Sequence, residues 1–203
     1  MNKLILIAGA SATGKSRYAK HLINSLKLPV ISKDSIKEVM HDGLRFNAET
    51  VEQTQYYGAC AYKLFFHFAE CLMKSGVDLC LESNFTNQGK DTILSLCKTY
   101  NYESMTIFLN APLELLHQRF INREKTEERH IGLSHGVYND FETYRKVAIH
   151  QTEFDLGDKR LEVDVSDWDK VDYGYIDSEI KEFMATICRM GNSYDTHTAG
   201  IEL

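Results

Sequence analysis

Eight residues near the start of the chain set the terms for the rest. Gly9, Ala10, Ser11, Ala12, Thr13, Gly14, Lys15 and Ser16 fit G-x-x-x-x-G-K-[ST], the phosphate-binding P-loop or Walker A pattern. The two glycines let the backbone curl so that successive N–H groups face the phosphates of a nucleotide. The lysine reaches the β- and γ-phosphates, and the serine hydroxyl is placed for Mg²⁺. The surroundings agree with the motif. The run from Lys3 to Ala8 is apolar and suits a buried parallel strand, and Tyr18, Ala19, Leu22, Ile23 and Leu26 repeat at helical spacing after it. A helix that starts at the loop adds the positive end of its dipole.

Downstream, short apolar runs alternate with helical patterns. Strands are expected at 28–33, 77–82, 104–109 and 161–165, and helices at 35–42, 49–74, 90–99, 112–123, 141–149 and 176–189. Ser35 and Glu38 form an S-x-x-E capping box, and Pro112 suits a first helical turn. The alternation predicts an α/β, doubly wound, mainly parallel sheet in one domain over 1–190, with a tail from 191 that has little to bury. Ligands bind at the carboxyl ends of such strands.

Those strand ends carry the candidate chemistry. Asp34 closes the second strand and is placed to take a proton from an acceptor hydroxyl in line with the γ-phosphate. Lys37, one turn on, can hold an anionic group of the acceptor. Glu82 can hold a water on Mg²⁺, and Ser83 and Asn84 can hydrogen-bond substrate. Arg119 and Arg123 share a helix face and suit triphosphate oxygens, with Arg119 also a nucleotide contact and both set to stabilise a transferring phosphoryl group. The charged stretch after them, with Arg129 as a substrate-binding candidate and His130, reads as a lid over about residues 120–140. Tyr56, Tyr57 and Tyr62 on the long helix fit core packing or an acceptor wall.

Composition narrows the partners. The chain of 203 residues carries a net charge of −6, which gives no broad surface for duplex nucleic acid or anionic membrane. The longest apolar runs are too short to cross a bilayer. The five cysteines are odd in number and never at C-x-x-C spacing, and each has at least one apolar neighbour, a setting read as that of a reduced, buried thiol. Together these lead to the expectation of a cytoplasmic protein, monomeric or homodimeric, without disulfides or zinc.

On Gly9–Ser16, Asp34 with Lys37, Leu81-Glu-Ser-Asn-Phe85, and Ala111-Pro-Leu followed by Arg119-x-x-x-Arg123, the chain resembles the small P-loop kinases of the AAA_33 or zeta-toxin-like group. Polynucleotide 5′-kinase domains and chloramphenicol phosphotransferase belong to that group. The resemblance spans roughly residues 3–165. It implies strand order 2-3-1-4-5, ATP and Mg²⁺ as cofactors, an acceptor-activating aspartate at Asp34, and lid arginines at Arg119 and Arg123. Lysine at position 37 replaces the more frequent arginine and loses its bidentate fork. The group's Arg-His-x-Gly-His run is matched by Arg129-His-Ile-Gly132, with the second histidine displaced to His135. The expected function is transfer of the γ-phosphoryl group of ATP to a hydroxyl of a small molecule or oligonucleotide end. The alternatives are a P-loop nucleoside triphosphatase and an ATP-binding regulatory module with no acceptor of its own.

Overall fold

The computed structural model describes residues 1–44, 50–126, 129–133 and 136–186. Cys188, His135 and the tail beyond residue 190 lie outside them. Five strands form one parallel sheet: β1 (Asn2–Ala8), β2 (Val30–Ser32), β3 (Leu79–Glu82), β4 (Tyr102–Asn110) and β5 (Lys159–Asp164), in the order β2-β3-β1-β4-β5. Seven helices are described: α1 (Lys15–Leu26), α2 (Lys33–Leu44), α3 (Val51–Lys74), α4 (Lys90–Tyr100), α5 (Leu113–Glu124), α6 (Phe141–Thr152) and α7 (Tyr173–Ala185).

The central strand explains the three layers. Period-two alternation sends Ile5 and Ile7 to one face and Leu4, Leu6 and Ala8 to the other, all fully buried. The first face packs Tyr18 and Leu22 of α1, Leu116 and Phe120 of α5, Tyr144 and Ala148 of α6, and Ile176, Ile180 and Phe183 of α7. The second packs Phe65, Ala69 and Met73 of α3 with Ile93 and Cys97 of α4. There Phe85 stacks on Phe154 with centroids 5.2 Å apart and lies 6.0 Å from Phe65.

Several local expectations need correction. α2 begins at Lys33, so Ser35 lies inside its first turn and forms no capping box with Glu38; Ser32 Oγ, 3.4 Å from Ser35 N, stands at the cap instead. The real capping box is Thr50 with Gln53, at the start of α3. Leu64 and Phe68 of α3, whose spacing suits a core face, are 38% and 48% exposed, because the buried ridge runs through Tyr57, Ala61, Phe65, Ala69 and Met73. Among the cysteines, Cys80 and Cys97 are buried, but Cys71 is exposed and Cys60 half-buried; these four are free thiols. No described helix is long and apolar enough to cross a membrane.

Candidate active site

The P-loop leaves β1 at its carboxyl end and turns directly into α1. Gly9 has φ +139°, and a Cβ there would stand 2.3 Å from Leu109 O. Gly14, the N-cap of α1, has φ +87°, and a Cβ there would meet the Trp168 ring at 2.3 Å. Both positions therefore demand glycine for space as well as for backbone conformation. Thr13 is buried and closes the turn by donating from Oγ1 to Ala10 O at 2.9 Å. Lys15 is also buried, and its Nζ donates to Gly9 O at 3.0 Å and Ala10 O at 2.8 Å. Burial pushes its pKa down to about 8, against the pull of Glu82 and Asp34.

Ser11 is held on every side. Its N–H donates to Gln151 Oε1 at 3.1 Å, its carbonyl accepts from Tyr144 Oη at 2.8 Å, and its hydroxyl oxygen accepts from Asn84 Nδ2 at 2.9 Å. Tyr144 and Gln151 lie more than 130 residues away on α6, so no local pattern marks them as P-loop partners.

A cavity of about 540 Å³ opens over the loop, bordered by α1, α2, α3, α5 and α6. It brings together Ser11, Ala12, Gly14, Lys15 and Ser16 of the P-loop, Asp34 and Lys37 of α2, Glu82 at the end of β3 and Asn84 just after it, and Arg123 and Arg129. Lys33, read in the sequence only as a strand end, joins them. Its ammonium lies 3.1 Å from Asp34 Oδ1 and 5.2 Å from the centre of the Tyr62 ring. Burial alone would raise the Asp34 pKa, yet Lys33, Lys15 and Lys37 outweigh it and hold the carboxyl well below the usual range. Burial and Lys33 bring the Lys37 pKa down to about 8. Glu82 is buried, which raises its pKa, and Ser32 Oγ donates to it at 2.5 Å.

The AAA_33 family pattern, an AAA domain, matches residues 4–146. The chain belongs to that family. Among solved structures, this AAA_33 chain is similar to a protein of Chloroflexus aurantiacus J-10-fl provisionally named a kinase, at 28% identity and TM-score 0.79, covering 89% of this chain and 97% of that one. It shares its fold with a sugar kinase from Janibacter sp. HTCC2649, at 13% identity and TM-score 0.57, over 91% of this chain and 96% of that one. No curated protein matches it.

Four residues of the sequence reading, Arg119, Ser83, His130 and Tyr56, lie off the cavity of the AAA_33 chain. Arg119 does not border the cavity; its Nη1 and Nη2 donate to Val165 O at 2.8 Å and Ser166 O at 2.7 Å, holding the segment that carries Trp168. Ser83 is buried behind the wall, bonded to Tyr62 Oη at 2.8 Å, and Tyr62 also donates to Asn84 O. Arg129 reaches the cavity while paired with Glu124 at 2.6 Å and donating to Leu133 O. His130 turns from the cavity to Asp42 Oδ1 at 3.1 Å, which seats the 131–133 turn on α2. Tyr56, on the outer side of α3, is 72% exposed and so serves neither core nor wall.

Proposed function

We propose that this protein is an ATP-dependent kinase that phosphorylates a hydroxyl group. One observation carries the reading: Asp34, ionised beside Lys33 and Lys15, shares the cavity with the P-loop lysine and two arginines from the α5 side. The glycine cradle and the buried Lys15 fit a nucleotide triphosphate, with Gly9–Ser16 supplying backbone donors and Lys15 the cation for the β- and γ-phosphates. The oxygens of Ser16 and of Glu82, the latter through water, suit Mg²⁺, which when bound neutralises developing phosphate charge.

The chain's own groups divide the remaining work. Arg123 and Arg129 neutralise charge on the phosphoryl oxygens in the transition state. Lys37 holds an anionic part of the acceptor, and Asn84 positions Ser11. Asp34 orients the acceptor hydroxyl; as the acceptor oxygen bonds to phosphorus and the bond to the leaving ADP oxygen breaks, the hydroxyl proton passes to Asp34. A carboxylate this acidic is a weak base, which suffices because a loose phosphoryl-transfer transition state makes the hydroxyl acidic only late. Arg119 acts at one remove, through Val165 and Ser166.

ATP turnover with and without hydroxyl acceptors, on wild type and Asp34→Asn, tests this. Acceptor-dependent turnover that is lost in Asp34→Asn is expected. Steady hydrolysis indifferent to acceptor and to residue 34 would overturn the reading in favour of a triphosphatase.

A further inference from the structure

α3 turns two rows of side chains to different surroundings. The row through Tyr57, Ala61 and Phe65 is buried against the sheet. The neighbouring row, Thr54, Gly58 and Tyr62 at four-residue intervals, borders the cavity with Gln55, as do Lys33, Asp34 and Lys37 of α2. The Tyr57 hydroxyl donates to Lys37 O at 3.2 Å and fixes the two helices against each other.

Two features of the second row are unexplained by packing. Thr54 is 7% exposed, and its Oγ1 has no hydrogen-bond partner among the described residues. Helical threonines commonly return this hydroxyl to the carbonyl four residues back. The Thr50 carbonyl takes the Thr54 N–H at 3.0 Å, but the hydroxyl does not join it. A buried hydroxyl without a partner is costly, and a turn about χ1 that brings it to the cavity wall, where a polar group of a ligand can take it, would relieve that cost. The second feature is Gly58. A Cβ there would meet nothing within 4 Å, so no packing contact requires glycine in the middle of this helix, where it is destabilising relative to alanine. Its effect is a recess one side chain deep in the cavity wall.

We propose that Thr54 and Gly58 form the acceptor-binding wall and that the acceptor is a small polyhydroxylated anion, a sugar acid or sugar phosphate. The proposal rests on the kinase reading for the place of the reacting hydroxyl. Asp34 and Lys37 are one helical turn apart and both border the cavity, so an acceptor that presents a hydroxyl to Asp34 can place a negative charge at Lys37. Thr54 reads a further hydroxyl, and the recess at Gly58 admits a compact ring or chain against the helix. A nucleobase or an apolar alcohol offers Lys37 no matching charge.

Isothermal titration calorimetry on protein saturated with a non-hydrolysable ATP analogue and Mg²⁺ tests the wall directly. The probes are D-gluconate and D-galacturonate for the carboxylate arm, D-glucose 6-phosphate and D-ribose 5-phosphate for the phosphate arm, with D-glucose and benzyl alcohol as uncharged and apolar controls. At least one anion is expected to bind tenfold or more tightly than both controls. Thr54→Val, isosteric and free of the buried hydroxyl, should fold, keep its affinity for the ATP analogue and bind that anion at least tenfold more weakly. Gly58→Val should block it, and Gly58→Ala, the variant safer for folding, should weaken it. No binding by any of the four anions, or equal binding by wild type and Thr54→Val, would overturn the proposal. Binding that follows this pattern without phosphoryl transfer would sink the kinase reading and leave the wall standing.

Discussion

Tyr144 Oη donates to Ser11 O across 2.8 Å, joining α6 to the middle of the P-loop. With Gln151 on the Ser11 N–H and Asn84 on its hydroxyl, the loop is held in its phosphate-binding form by side chains from α6 and from the end of β3. Tyr144→Phe removes one of the three. Leaving the carbonyl short of its partner is expected to cost about 1–3 kcal/mol. Thermal unfolding should register the loss, and titration should show weaker nucleotide binding with no change in the acceptor site.

Gly9→Ala is a harsher test of the same loop. The new methyl group would stand 2.3 Å from the Leu109 carbonyl, a backbone atom that cannot swing aside, at φ +139°. Clash and strain together should cost roughly 2 kcal/mol or more. Chemical unfolding should show the deficit, and an unchanged midpoint would contradict the cradle as described.

The two helix arginines should separate in kinetics. Arg123 borders the cavity, so Arg123→Ala should lower kcat by about 10²–10³, the usual effect of losing one transition-state donor. Arg119 is spent on two carbonyls, and Arg119→Ala should instead lower the unfolding temperature and weaken nucleotide binding. Trp168, the single tryptophan, lies against Gly14, so its fluorescence provides the binding readout.

The pH profile of kcat/KM follows from the same charges. Asp34 keeps its charge well below its ordinary value of 3.8, so it contributes no acid limb between about pH 5 and 7; a limb there belongs to Glu82, whose pKa burial raises. Its stabilising contribution is present above the unfolded pKa of about 3.9 and is lost only as pH falls through the depressed folded value. Lys15 and Lys37, both lowered to about 8, lose their charge above that pH, and kcat/KM should fall there. Stability should move the other way. Between about 8 and the ordinary 10.5 the unfolded chain binds more protons, so these lysines make unfolding harder as pH rises. An activity limb near pH 6 that persists in Glu82→Gln would contradict the assignment of Asp34.

The sheet and the P-loop were legible because both rest on short-range pattern, apolar runs and glycine spacing; the strand order came only through the family resemblance carried by motifs at strand ends. What escaped depends on distance or on one residue of phase. Lys33 looks like the end of a strand, and only the early start of α2 turns its ammonium onto Asp34. Arg119 and Arg123 share a helix face by spacing, but the chain after β5 passes close enough to claim the first. Tyr144, Gln151 and Thr54 become site residues only when α6 and α3 close on the loop.

Turnover in oxygen-18-labelled water, with a sugar acid and a sugar phosphate as acceptors, tests the central assignment most directly. If Asp34 activates an acceptor hydroxyl, the γ-phosphoryl group appears in a phosphomonoester of the acceptor that carries no label, and Asp34→Asn abolishes that product. Inorganic phosphate carrying one labelled oxygen, formed at the same rate with or without acceptor, would contradict it.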